Sequence, residues 1–319
     1  MVCVIEFITS IAQGARLEGW EANRVRGALG HALRRVACTT GRSDCTACAL
    51  VHLCAYGYCF ETLAPVNGQF HSRGQEVPRP YVIRSIPGYG THADRGIVGF
   101  DLVLLGKATQ FLPYLVLAVK DWEQAGSGPG KSACDLIAAT AHNPVTGERT
   151  AIYRQGDRQL ASVPWQVCLQ QIEQAASQLP EDEVTVDFLT PTRLRLRGEK
   201  LDRPDFHAVV ASLVRRIEAL HLYHDFPALD GSIPELIAAA DGVELVGWSG
   251  DVRSQERYSS RQRQSMRMEG FVGRATYAGD LAPFAVLLKL GELIHVGKGA
   301  VFGLGQMRIV DHSAITEGR

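Results

Sequence analysis

Apolar and polar positions alternate along this chain in two rhythms, and these follow one another in the same order in each half. An apolar run over 2–8 predicts a strand. Beyond it Val25, Ala28, Leu29, Ala32, Leu33 and Val36 recur at three- and four-residue spacing, which predicts a helix over 22–37. The opposite stripe of that helix carries Arg24, Gly27, His31, Arg34 and Arg35, and a cysteine-rich stretch over 38–60 follows it. Strands are then predicted over 81–86 and 97–105, a helix over 108–124, and a strand over 134–140 behind the glycine-rich loop 126–131. The order is β-α-β-β-α-β.

A polar connector over 143–162 and a predicted helix over 166–178 lead to a second round. A strand over 184–189 precedes a helix over 205–224, with Phe206, Val209, Val210, Leu213, Ile217 and Leu220 on one face. Strands over 243–248 and 270–277, an apolar helix over 281–294 and a short strand over 306–310 complete it. Leu112-Pro113-Tyr114 and Ala282-Pro283-Phe284 open the second helix of each half at matching places. An internal duplication accounts for this most simply. The expected fold class is therefore α+β, with tandem ferredoxin-like domains over 1–145 and 181–319 and a helix-bearing connector over 146–180. Such a unit covers one face of its sheet with helices and leaves the other free, a layout often used to hold single-stranded RNA.

Composition narrows the function classes. Apolar content of 46% and charged content of 21% mark a globular protein. The absence of a leader-like N-terminus and of any bilayer-length apolar run points to a cytoplasmic protein with no membrane partner. A net charge of −1 means that any polyanion must be met by local clusters of basic residues. Two are visible. Arg253, Arg257, Arg261, Arg263 and Arg267 are all odd-numbered, as are Arg193, Arg195 and Arg197, so in extended strands each set would share a face, unless a turn within 259–265 breaks the first. Between the last helix and strand, Gly297, Gly299, Gly303 and Gly305 surround Lys298 and follow His295. Glycines so spaced suit a concave loop that offers N–H groups to a phosphate, or one that simply turns sharply. Gly130-Lys131-Ser132 fails as a nucleotide-binding P-loop, because Ala125 stands where that motif needs glycine and the strand–helix order is reversed.

An ordered set of segments resembles a known family. Arg26-Gly27-Ala28-Leu29-Gly30-His31 in the first half is joined in the second by Arg257-Tyr258-Ser259-Ser260-Arg261-Gln262, Gly270-Phe271-Val272-Gly273, Leu281-Ala282-Pro283-Phe284 and the run from His295 to Gly305. Together they resemble the CRISPR-associated RAMP endoribonucleases that process precursor CRISPR RNA. The resemblance implies two ferredoxin-like domains that bind the CRISPR repeat as partner. It also implies cleavage without a catalytic metal, by 2′-hydroxyl attack, leaving a 2′,3′-cyclic phosphate. His31 stands where relatives often place a catalytic histidine; His295 is the second candidate for proton transfer, and Lys298 a candidate to stabilise the transition state. The two arginine rows and the four glycines then become the RNA-binding set. The alternative is a non-catalytic RAMP subunit that scaffolds other subunits of a CRISPR effector complex.

Eight cysteines change the picture again. Cys38, Cys45, Cys48 and Cys54 form C-x6-C-x2-C-x5-C, and in a reducing compartment such a set more often holds a metal than disulfides. Structural zinc and a 4Fe-4S cluster both accept four thiolates, and the spacing also resembles the cluster loop of iron-sulfur DNA glycosylases. Four protein ligands leave no open position, so the expected role is structural. Cys59 is either a substitute ligand or buried, and Cys3, Cys134 and Cys168 read as core residues.

Overall fold

In the computed structural model, residues 1–10, 21–64, 77–86, 96–125, 134–259 and 264–310 are described; Arg261, Arg263 and the glycine-rich loop 126–131 lie outside them. The first sheet is built around β1 (Val2–Ser10). The helix α1 (Glu21–Ala37) follows, then β2 (Tyr81–Ser85), β3 (Ile97–Leu105), α2 (Leu112–Ala125), β4 (Leu136–His142) and β5 (Arg149–Arg154). The strand order is β2-β3-β1-β4-β5, with every described pairing antiparallel. The apolar faces predicted from spacing form the core: Val25, Leu29, Ala32 and Leu33 of α1 and Leu115, Val116, Val119 and Trp122 of α2 are buried. Phe100 stacks on Phe7 at 5.1 Å and meets Trp122 at 5.9 Å, tying sheet to helix. Each such side chain adds about 1.5–3 kcal/mol by leaving water.

The second round begins with α3 (Leu169–Ala176), β6 (Glu183–Thr192) and a small hairpin of β7 (Arg195–Leu196) and β8 (Glu199–Lys200). Then come α4 (Phe206–His224), α5 (Ile233–Ala239), β9 (Glu244–Ser259), β10 (Gln264–Ala278), α6 (Ala285–Ile294) and β11 (Met307–Ile309). Its strand order is β11-β6-β10-β9. In each sheet the first strand of the round pairs with both the third and the last, so the repeat read from the sequence is also a repeat of strand order. By contacts the chain divides into residues 1–168 with 219–227 and residues 169–218 with 228–319. No helix among the described residues is long and apolar enough to cross a membrane.

Three elements differ from expectation. The stretch read as a connector supplies β5 to the first sheet, and Val167 bridges Val2, while Cys168, expected in the core, is exposed. Neighbours in an extended segment point to opposite sides, so burial of Val167 turns Cys168 outward. The β9–β10 hairpin is far longer than its apolar centre suggested, because its outer half is polar. The last turn of α4 counts with the first unit, where His224 is buried. There the Tyr58 hydroxyl donates to its Nδ1 at 2.9 Å, and its Nε2 donates to the Pro78 carbonyl at 2.6 Å.

Across the second sheet Asp187 pairs with Arg274 on one side and Arg308 on the other. Its carboxylate accepts from Arg274 at 2.6 and 3.0 Å and from Arg308 at 3.1 Å. The hydrogen bond from Arg274, then that from Arg308, holds the carboxyl below its ordinary value of 3.8 against the opposing pull of burial. A depressed value means the contribution is complete above about pH 4 and fades as pH falls through the folded value. Asp187→Asn is therefore expected to cost about 1 kcal/mol at neutral pH, since both arginines are half exposed. Denaturant unfolding of the two chains should show that gap shrinking in acid; a gap that persists under strongly acidic conditions would contradict the ion-pair account.

Candidate nucleic-acid interface

The glycine loop leaves α6 at His295, whose φ of 62° ends the helix. Gly297, Gly299, Gly303 and Gly305 take φ of 81°, 94°, 76° and 70°, the region that side chains disfavour. At Gly297 a Cβ would stand 2.7 Å from the Arg193 carbonyl oxygen, so only glycine lets the loop lie this close to the chain leaving β6. The loop is braced from several sides. Thr190 Oγ1 donates to the Gly303 carbonyl at 2.8 Å and accepts from the Gln306 N–H at 2.9 Å, and Ser212 Oγ accepts from the Gly297 N–H at 3.0 Å. Arg216 Nε donates at 2.8 Å to the Ile294 carbonyl, placing a cation at the C-terminal end of α6; burial lowers that guanidinium to about 10, which leaves it charged at neutral pH.

Two expectations change here. An open cradle of backbone N–H groups does not describe most of the loop. The N–H groups of Val296, Gly297, Lys298, Phe302, Gly303, Leu304, Gly305 and Gln306 all donate within the protein. His295, the second candidate for proton transfer, is fully buried, and its Nδ1 donates to the Leu304 carbonyl at 3.0 Å. A ring held there braces the loop and does not meet a ligand in solvent. What the loop presents outward is Lys298, which is exposed and whose N–H bonds the Arg193 carbonyl at 3.2 Å.

Lys298 opens onto a surface cavity that it shares with Arg193, Arg195 and Lys200. Leu194, Leu201, Val252 and Gly270 supply apolar wall, and Asp202 and Glu269 are the two carboxylates. Four cations against two anions give a local positive site in a chain whose net charge is −1. That is the local basic cluster a polyanion requires. Lys200 was not singled out from sequence, although it faces Arg195 across β7–β8. The Arg197-Gly198 turn was the available signal: Arg197 takes φ of 51° and Gly198 φ of 89°. That turn ends the expected single-faced row after Arg195, whose Nη1 donates to the Gly198 carbonyl at 3.0 Å.

The longer arginine row also divides. In the β9–β10 ladder Arg253 stands opposite Gly270 and Arg267 opposite Glu256, so odd positions of β9 share a face with even positions of β10. Arg253 and Arg267 therefore project to opposite faces; Arg257 shares the register parity of Arg253. Arg267 Nε donates to Ser254 Oγ at 2.6 Å. Arg274 and Arg308, outside both rows, are the cations that the second sheet holds on Asp187.

In the first unit His31 is exposed midway along α1. The arginines around it hold the fold more than they await a ligand. Arg34 donates to the Arg42 and Ser43 carbonyls at 2.6 and 3.1 Å and lies over the Tyr56 ring, while Arg35 Nε donates to Asp121 at 2.9 Å. Burial first, and then the Glu61 carboxylate, push the Tyr56 phenol up to about 12; burial also raises Tyr58. Both stay protonated at neutral pH, so neither serves as a base. Beyond α1, Cys38, Cys45, Cys48 and Cys54 are free thiols around one cavity, and Cys59 is fully buried outside it. Cys59 thus lies among the core side chains of this segment, and burial raises its thiol.

Comparison with known proteins places both halves. Residues 186–307 match the family model described as CRISPR-associated endoribonuclease Cas6, and residues 2–165 match AF_1859_N, described as an N-terminal domain. An uncharacterized protein of Archaeoglobus fulgidus is 25% identical over 301 residues, 90% of each chain. Thermus thermophilus Cas6 (TTHB231) aligns at TM-score 0.55 and 16% identity over 97% of this chain and 98% of its own, and its product complex at 0.59 and 16% over 97% and 100%. The Cas6 (TTHA0078) product complex aligns at 0.51 and 16% over 97% and 100%. These structures share the fold along nearly the whole chain, and the matched second half contains the glycine loop and its cationic cavity. The second half of the chain, residues 186–307, thus belongs to the CRISPR-associated endoribonuclease Cas6 family.

Proposed function

We propose that this chain is a sequence-specific endoribonuclease, built of tandem ferredoxin-like units, that cuts precursor CRISPR RNA within its repeats. The observation that carries the proposal is the cavity in which Lys298, Arg193, Arg195 and Lys200 converge beneath the glycine loop, inside the segment that matches Cas6. Four cations beside a loop rigid by its own hydrogen bonds suit a phosphate backbone, and rigid placement aligns a phosphodiester for in-line attack.

The chemistry requires only groups that the chain carries. The ribose 2′-oxygen attacks the adjacent phosphorus, the bond from phosphorus to the 5′-oxygen breaks, and a 2′,3′-cyclic phosphate and a 5′-hydroxyl result. One proton leaves the 2′-hydroxyl and one reaches the departing 5′-oxygen. His31 is assigned proton transfer, for which an imidazole is suited near neutral pH. Lys298, within the second unit, is assigned to the phosphate backbone of the bound repeat. No metal takes part in this scheme.

The test mixes purified full-length protein with a labelled cognate repeat in EDTA. A single cut with a cyclic phosphate end is expected; intact RNA would assign the chain to the non-catalytic, scaffolding role among effector subunits. Lys298→Ala should weaken binding of the repeat and make log affinity against log salt shallower by about 0.7–1. An unchanged slope would remove Lys298 from the RNA backbone.

A further inference from the structure

The four cysteines after α1 lie outside the chemistry proposed above, and they are gathered in one place. Cys38, Cys45, Cys48 and Cys54 all line a single hollow that opens to solvent. Its remaining wall is Thr39, Thr40, Arg42, Leu50, Val51, Tyr56 and Gly57, so no imidazole or carboxylate shares it. Asp44 is turned to its own loop, accepting from the Thr46 N–H and hydroxyl at 2.8 and 2.7 Å. A donor set of thiols alone suits zinc or an iron–sulfur cluster and disfavours calcium, magnesium and manganese.

The loop that carries the thiols is held by hydrogen bonds of its own and by Arg34. Cys48 N–H donates to the Cys45 carbonyl, Val51 N–H to that of Cys48 and Cys54 N–H to that of Leu50, at 3.1, 3.1 and 2.8 Å. Arg34 holds the Arg42 and Ser43 carbonyls, and Arg42 Nη1 holds the Ala47 carbonyl at 3.3 Å. Two guanidinium groups thus lie beside the thiols and offset the negative charge that four thiolates bring. At Gly57 a Cβ would meet the Val51 carbonyl oxygen at 2.3 Å, so the cavity floor closes tightly.

Size separates the two candidates. Zinc draws four sulfurs to roughly 3.8 Å from one another, since each bond is about 2.3 Å and the geometry tetrahedral. Among the described residues no group of three or more His, Cys, Asp or Glu side chains forms a ready single-ion site. Cys38 and Cys48 both reach the Thr40 hydroxyl, at 3.9 and 3.7 Å. Four thiols spread around the wall of one cavity match a cubane, whose thiolates bind four separate irons at its corners. We infer that Cys38, Cys45, Cys48 and Cys54 bind a 4Fe-4S cluster, which cross-links the end of α1 to the loop through Cys54. With a protein thiolate on each iron, none keeps an open position for a substrate, and the cluster serves to hold the loop.

The test is chemical and does not depend on RNA cleavage. Full-length protein, purified without oxygen and, if colourless, supplied with ferric iron, a thiol reductant and sulfide, is assayed for iron, acid-labile sulfide and zinc, and its visible absorption recorded. About four irons and four sulfides per chain with a broad visible band are expected. Cys45→Ser should lose the iron, whereas Cys134→Ser, at a buried thiol outside the cavity, should keep it. If Cys45→Ser fails to fold, the wild-type metal content decides. One zinc without sulfide, no uptake of iron and sulfide, or iron that survives Cys45→Ser in folded protein would each overturn the inference.

Discussion

His31→Ala is expected to slow cleavage of the cognate repeat by about 10²–10⁴-fold, the usual contribution of one positioned general acid or base. The side chain is exposed and its helix neighbours Leu29, Ala32 and Leu33 carry the packing, so α1 keeps its buried face. Alanine is also the better helix former, and an exposed substitution of this kind usually changes stability by less than about 0.5 kcal/mol. Unchanged unfolding therefore separates a chemical loss from a structural one. The measurement is single-turnover cleavage with enzyme in excess, beside affinity for a repeat whose 2′-hydroxyl at the cut site is removed. Slow cutting with unchanged affinity, restored in part by added imidazole, assigns the proton transfer. A rate equal to wild type would remove His31 from the proton transfer, and the role would then pass to a residue other than His295, which is buried on the Leu304 carbonyl.

Whatever depended on apolar period alone was legible in the sequence. The helices over 22–37 and 205–224 and the strand over 97–105 coincide with α1, α4 and β3 to within a residue, since each buries an unbroken stripe. Polar strands were not legible. β5 and the outer half of β9–β10 are set by pairing with a neighbouring strand, which period does not reveal. The arginine rows show the same limit: parity predicts a shared face only while a strand runs straight. The turn at Arg197-Gly198 ends one row, and the hairpin reverses parity in the other. The cavity beneath the loop needed both the glycines, which sequence singled out, and the β7–β8 hairpin that brings Lys200 beside Arg195. His295 was misjudged for a related reason: proximity to a loop in sequence does not tell whether a ring points outward or, with φ of 62° at the helix end, into the core. The contact of His224 with Tyr58 joins residues 166 positions apart and leaves no local signal.

Gly305→Ala is expected to do more damage than any other single methyl group added to the loop. At φ of 70° a side chain costs about 1–2 kcal/mol in backbone strain alone. The added Cβ would also stand 1.7 Å from the Val296 carbonyl oxygen and 2.8 Å from its carbon, both backbone atoms that cannot rotate aside. Relief means parting the two strands of the loop root. That would break the bond from Val296 N–H to the Gly305 carbonyl at 2.9 Å and the one from Gly305 N–H to Pro191 at 3.2 Å, at about 1 kcal/mol each. A total of about 3–4 kcal/mol is a large share of a domain's usual 5–15. Gly147→Ala supplies the comparison: its φ is 76°, but nothing lies within 4 Å of the added carbon, so it bears the strain without the clash. In denaturant unfolding Gly305→Ala should shift the midpoint well beyond Gly147→Ala, and repeat binding should fall with it, because Lys298 is held over the cavity only while the root stays closed. Equal shifts for the two substitutions would mean that the loop opens at little cost, and that its hydrogen bonds do not fix the position of Lys298.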